Sequence, residues 1–187
     1  FMGGPILAIA DSITREFEDP RYAKATISHL QACALMNQLD NGLYQHSPLD
    51  PTAWGRGNGF AALGASICLS LLSPEIEGYE QVKQKFIKQI NELVKHQDAT
   101  GSWHQVVDHP ESYPEFTSTC MIASAILLGI KKGVLPHDDY QSVIDGAKQA
   151  TIRRIAPSGF INDVCTGTGK QKNLRAYLDR EAIQGRN

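Results

Sequence analysis

An arginine held between glycines and beside an aromatic ring is the stretch of this chain best suited to chemistry: Trp54-Gly55-Arg56-Gly57-Asn58-Gly59-Phe60. Glycine lets backbone approach a ligand closely, and the planar guanidinium of Arg56 can hold a carboxylate through two parallel hydrogen bonds. Such a loop suits an acidic, ring-shaped ligand. The alternative is a tight helix start in which Arg56 pairs with a nearby acid and Trp54 packs in the core. His46 stands ten residues before Arg56, close enough to share its site. An imidazole there can donate to a sugar hydroxyl or a carboxylate and can titrate near neutrality. Tyr44 and Asp50 lie in the same segment, which Pro48 and Pro51 stiffen.

Two later loops add polar groups. Asp108 and Glu115 are two carboxylates of the kind glycoside cleavage uses; Glu115 can instead favour the positive end of the helix it begins. Asp163-Val164-Cys165-Thr166-Gly167-Thr168-Gly169-Lys170 superficially looks like a phosphate loop. It lacks the spacing and strand context of one, which argues against nucleotide binding. Its glycines, hydroxyls and Lys170 suit contact with a polar saccharide, or a solvated turn.

The elements that must carry these loops read as helix almost throughout. Val82, Phe86, Ile90, Leu93 and Val94 recur at helical spacing with lysines facing elsewhere, which predicts an amphipathic helix over about 79–97. Tyr22, Thr26, Leu30, Cys33 and Met36 predict another over about 20–39, with Asp19 as its cap and Pro20 in its first turn. Tyr140, Val143, Ile144, Ala147 and Thr151 predict a third over about 137–155. Between them, residues 3–17, 58–72 and 115–132 are apolar or small nearly all round, as expected of helices buried on several sides. Each amphipathic helix runs into a comparable turn containing Gly42, Gly101 or Gly159, and these glycines lie 59 and 58 residues apart. They are expected to end the helices in the left-handed conformation. A repeat of that size holds one helical hairpin and a long loop, so three hairpins stack with the loops, and the function, at one end.

Composition sets the class. At 187 residues with 42% hydrophobic and 20% charged residues, the chain suits one globular domain, here 1–187. A net charge of -2 gives no footprint for nucleic acid. No apolar run approaches the roughly 20 residues of a membrane span. Cys33, Cys68, Cys120 and Cys165 have no zinc-ligand spacing. Cys33, Cys68 and Cys120 sit in apolar helical segments and read as buried free thiols, which fits a reducing compartment and a cytoplasmic location. The opening Phe1-Met2 lacks an initiator methionine and any signal-peptide grading, so the natural N-terminus is expected upstream.

Taken in order, Phe1-Met2-Gly3-Gly4-Pro5, Gly42-Leu43-Tyr44-Gln45-His46, Trp54 to Phe60, Ser112-Tyr113-Pro114-Glu115 and Cys165-Thr166-Gly167-Thr168-Gly169 resemble the unsaturated rhamnogalacturonyl hydrolases, glycoside hydrolase family 105. The resemblance covers almost the whole chain. It implies an all-α, six-hairpin α/α toroid, of which about three hairpins are present here as a partial barrel. It also implies a glycosidase acting on the unsaturated uronic acid at the non-reducing end of pectin fragments. In that family an aspartate helps hydrate the C4=C5 double bond, the hemiketal opens, and the glycosidic bond is lost without attack at the anomeric carbon.

By motif position, His46 and Arg56 contact the sugar and Phe60 takes a stacking position where tryptophan is usual. The candidate substrate-binding set is His46, Trp54, Arg56, Asn58, Phe60, Glu115 and Thr168. The catalytic aspartate is expected just upstream of Phe1, and no metal or cofactor is expected. The implied partner is an acidic oligosaccharide. The open half-ring is expected to self-associate, or to pair with the rest of a barrel, through inner helices around Ala62, Gly64, Ala65, Ala123, Ser124 and Ala125. Two other readings are a sister unsaturated glucuronyl hydrolase acting on glycosaminoglycan fragments and a noncatalytic saccharide-binding helical scaffold.

Overall fold

The computed structural model describes residues 3–14 and 19–185. The Phe1-Met2 pair, and residues 15–17 of the expected segment 3–17, lie outside the described residues. Six helices form three successive hairpins: α1 (Gly3–Thr14) with α2 (Arg21–Asn37), α3 (Gly55–Leu71) with α4 (Tyr79–Lys95), and α5 (Phe116–Lys131) with α6 (Gln141–Arg153). The inner helices pack side by side, α3 touching both α1 and α5. Val82, Phe86, Ile90 and Leu93 of α4 are buried against Ala62, Leu69, Ile122 and Ile126, so the 3.6-residue period of that helix became its core face.

α2 departs from its expected stripe. Ala23, Thr26, Ile27 and Ala34 are its buried residues, while Met36 is 60% exposed. Leu30 and Cys33 are partly buried and line a cavity, Leu30 also packing against the core. The helix begins one residue later than Pro20, whose φ and ψ place it at the N-cap; Asp19 Oδ1 accepts from the Arg21 N–H at 3.0 Å rather than capping from inside the first turn.

The three glycine turns repeat atom for atom. The N–H of Leu39, Asp98 and Ala156 donates to the carbonyl of Leu43, Ser102 and Phe160, at 2.8, 2.9 and 2.8 Å. In each turn the glycine N–H closes back on the first residue's carbonyl, at 2.9, 2.9 and 2.8 Å. Gly42, Gly101 and Gly159 have φ of 106°, 86° and 82°, as a left-handed turn requires. They do not end the helices as expected: the C-caps are Gln38, His96 and Arg154, all at negative φ, and the glycines close the turn that follows.

These turns also join one hairpin to the next. Gly42 lies against the backbone of Lys88 in α4, and Gly101 against Gly146 in α6. Gln38 Nε2 bridges Gly42 O and Lys85 O at 3.2 and 2.9 Å; Gln97 Nε2 bridges Gly101 O and Val143 O at 3.0 and 2.9 Å. Ile155 follows the third outer helix at the corresponding place and is 47% exposed.

Residues beyond α6 are not helical throughout. β1 (Ile161–Cys165) and β2 (Ala182–Gly185) pair antiparallel, with Val164 opposite Ile183, around a short helix α7 (Leu174–Leu178). A strand of five residues carries too little periodicity to announce itself, and its pairing depends on a partner across the loop. Of the inner-helix residues named above, Ala62, Gly64 and Ala125 are buried, Ala65 and Ala123 are partly buried and Ser124 is exposed. Larger apolar side chains are exposed at Ile6, Ile9 and Ile13 of α1, at Leu127 of α5 and at Ile152 of α6. No helix among the described residues is long and apolar enough to cross a membrane.

Candidate functional site

The long loops of all three hairpins meet at one end of the stack. Trp54 forms an isolated antiparallel bridge with Val106, and the Gly55 N–H donates to Gln105 O at 2.8 Å. A Cβ at Gly55 would stand under 3.0 Å from His104 O, so only glycine lets the two loops approach this closely. Gln105 Nε2 donates to Tyr177 O at 2.8 Å, which ties in the C-terminal loop.

A cavity of about 890 Å3 opens beside this junction, between α2, α3 and α4. His46, Trp54, Arg56, Phe60 and Thr168 line it, together with Tyr44. The helices line it with apolar Leu30, Ala34, Val82 and Phe86 and with polar Gln81, Lys85 and Gln89. Among the described residues no aspartate or glutamate lines it.

Arg56 is held on two edges. Nε donates to Thr117 Oγ1 at 3.0 Å, while Nη2 reaches Glu115 Oε1 at 3.4 Å and also donates to the Cys165 carbonyl. Nη1 has no hydrogen-bond partner among the described residues and is the nitrogen left for a ligand. The two-pronged grip expected from the guanidinium fork is therefore half committed to the protein itself.

The expected alternatives around Arg56 both hold in part. Arg56 pairs with an acid, and Trp54 is 4% exposed, yet both line the cavity. The Trp54 ring contacts both polar groups, its centroid 5.5 Å from the Arg56 guanidinium and 4.4 Å from the His46 ring.

His46 is half-buried. Its Nδ1 lies 2.9 Å from the Tyr177 hydroxyl, which also accepts from the Gln171 N–H at 3.2 Å. Tyr177 can donate to Nδ1, which matches a neutral ring protonated on Nε2, or accept from an Nδ1–H in the other tautomer. Burial, and then the positive charge of Lys170, hold His46 below the ordinary histidine range, so it is neutral near pH 7.

Two members of the expected set stand behind the cavity. Asn58 is fully buried: its Oδ1 accepts from the Tyr44 N–H at 2.8 Å, and its Nδ2 donates to Tyr44 O and Trp54 O at 2.8 and 3.1 Å. With its amide committed to the backbone, it shapes the first loop instead of touching a ligand. Glu115 is also fully buried, and its carboxylate accepts from the N–H groups of Ser118 and Cys165 at 2.6 and 2.9 Å. It caps α5 and backs Arg56. Asp108 is exposed and makes no pair with it.

Thr168 lines the cavity beside Cys165, its hydroxyl donating to Thr166 O at 2.8 Å. Tyr177 and Thr117 carry no motif in the sequence, and only the fold brings them to His46 and Arg56. All four cysteines are free, but of the three expected to be buried only Cys68 is, its thiol raised by burial to about 12; Cys33 and Cys120 are only partly buried, Cys33 because it lines the cavity. No group of three or more possible metal ligands occurs among the described residues.

Comparison with known proteins agrees with this architecture. The chain is 30% identical over 148 residues to the unsaturated rhamnogalacturonyl hydrolase YesR of Bacillus subtilis (strain 168), covering 78% of this chain and 40% of YesR. A possible member of the GH105 family from Salmonella enterica superposes with a TM-score of 0.85 at 24% identity, over 98% of this chain and 52% of that one. The unsaturated glucuronyl hydrolase of Bacillus sp. GL1, responsible for degradation of glycosaminoglycan, superposes at 0.65 with 14% identity, over 87% and 49%. The three hairpins thus have the fold of a partial α/α toroid, and the chain spans about half the length, or less, of these relatives. Glycosyl Hydrolase Family 88 matches residues 1–185, and the chain belongs to that family.

Proposed function

We propose that this chain forms the substrate-holding part of a glycosidase that acts on the unsaturated uronic acid at the non-reducing end of rhamnogalacturonan oligosaccharides, by hydration of the C4=C5 double bond. The observation that carries the reading is that Arg56, whose Nη1 is unpaired among the described residues, and His46, whose Nδ1 faces Tyr177, line one cavity beside Trp54. Arg56 receives the sugar carboxylate, His46 donates to a ring hydroxyl, and Phe60 offers an apolar face to the ring. Hydration needs a carboxyl group to move a proton. Among the described residues, none lines the cavity. The greater identity to YesR favours a rhamnogalacturonan fragment over a glycosaminoglycan one.

Calorimetric titration with the unsaturated disaccharides of each polymer, and with a neutral carboxamide analogue, tests the reading. Tighter binding of the rhamnogalacturonan disaccharide is expected. Arg56→Ala should weaken the acid by about 10- to 150-fold, the equivalent of a charge-assisted contact of roughly 1.5–3 kcal/mol, and leave the neutral analogue nearly unchanged. Equal losses for acid and amide would make Arg56 purely structural. Loss of ultraviolet absorbance from the conjugated sugar follows turnover.

A further inference from the structure

Thr117 occupies a place that nothing about the cavity itself explains. It is half-buried at the start of α5, does not line the cavity, and has its hydroxyl interposed between Arg56 and Glu115. Thr117 Oγ1 lies 2.7 and 2.8 Å from the two carboxylate oxygens of Glu115 and 3.0 Å from Arg56 Nε. A hydroxyl has one proton. The carboxylate can only accept, so that proton goes to Glu115, and the Thr117 lone pairs receive the Arg56 Nε–H. The direction of the relay is thereby set: Arg56 Nε–H to Thr117, Thr117 O–H to Glu115. Glu115 cannot turn to break it, because the N–H groups of Ser118 and Cys165 pin the same carboxylate.

Without the hydroxyl, a guanidinium and a buried carboxylate this close favour a side-on pair in which Nε and Nη2 each meet one oxygen. The actual Arg56–Glu115 contact is a long 3.4 Å through Nη2 alone. Thr117 fills the place where the second, Nε-to-oxygen bond of such a pair would form. We propose that Thr117 is a positioning residue that keeps Arg56 from closing onto Glu115, and so holds Nη1 out toward a ligand carboxylate in the cavity.

This rests on the reading of the cavity as a site for an acidic sugar, but part of its test does not. The variants are Thr117→Val, which keeps the shape and removes the hydroxyl, and Thr117→Ser, which restores it. In arginine-labelled protein, the Arg56 Nε–H resonance, assigned by its absence in Arg56→Lys, should shift in Thr117→Val and return to the wild-type position in Thr117→Ser. Affinity for the unsaturated disaccharide should fall roughly 10-fold in Thr117→Val, that for the neutral carboxamide analogue should hold, and Thr117→Ser should recover the loss.

An unmoved Nε–H resonance overturns the proposal, and so do equal losses for acid and amide. If the wild-type chain binds neither sugar, the functional reading fails on its own and the resonance alone decides the role of Thr117. Thr117→Ala carries the same expectations should valine disturb the start of α5.

Discussion

The hydroxyl of Tyr177 reaches His46 Nδ1 at 2.9 Å across 131 residues of chain, which places a residue of the C-terminal loop against one ring nitrogen of the first loop's histidine. Removing that hydroxyl in Tyr177→Phe should let both ring tautomers populate. Nitrogen NMR of the ring reads this directly, with Nε2–H expected to dominate in the wild type and a mixture in the variant. Losing one hydrogen bond of about 0.5–1.5 kcal/mol should weaken sugar binding about 2- to 12-fold. A single unchanged tautomer in Tyr177→Phe would show that Tyr177 does not control the ring.

His46 also makes the fold sensitive to acid. Its folded-state value lies below the ordinary histidine value of 6.5, through burial and then Lys170. Above the unfolded value neither state binds the proton, and its contribution to stability is complete. As pH falls below it, the unfolded chain takes the proton first, and that contribution is lost until the folded ring protonates as well. Between pH 7.5 and 5.5 the urea midpoint of the wild type should therefore fall further than that of His46→Gln. Parallel declines would remove His46 from the acid response.

Gly101 and Gly133 separate strain from collision. Both have positive φ, 86° and 70°, so alanine at either costs about 1–2 kcal/mol in backbone strain. Only Gly101 lies against another backbone, where a Cβ would come under 3.0 Å from Gly146, whereas nothing lies within 4 Å at Gly133. Urea denaturation should show Gly133→Ala losing little beyond the strain and Gly101→Ala losing far more. Similar losses would mean that the turn and α6 are not in fixed contact.

Asn58→Ala should separate shaping the loop from touching the ligand. It leaves the N–H and carbonyl of Tyr44 without their partner, at about 1–3 kcal/mol for each buried group left unpaired. The thermal midpoint should drop while the ratio of acid to amide affinity stays constant. A changed ratio with an unchanged midpoint would return Asn58 to the contact set.

Phe60→Trp tests the stacking face. Because Phe60 lines an open cavity, the larger ring should fit without the roughly 1–3 kcal/mol that overpacking a core costs. Thermal stability should hold and saccharide affinity should improve or stay level. Lower stability with level affinity would place Phe60 in the core.

Features governed by local period were legible in the chain itself. The hydrophobic spacing from Val82 to Leu93 became the buried face of α4, and the near-equal spacing of Gly42, Gly101 and Gly159 became three turns with one hydrogen-bond pattern. The Trp54–Phe60 motif marked the cavity wall, and the quoted motifs together pointed to the family. Side-chain directions within that motif were a tertiary matter. Asn58 and Arg56 share a helix start, but Asn58 turns into the backbone of Tyr44 and Arg56 toward the cavity, because the first loop folds back over one and not the other. The burial of Glu115, the spacer position of Thr117, the hydrogen bond from Tyr177 and the β1–β2 pairing all join residues far apart in sequence. No local propensity encodes such contacts; they form only when the stacked hairpins bring the three loops together at one end.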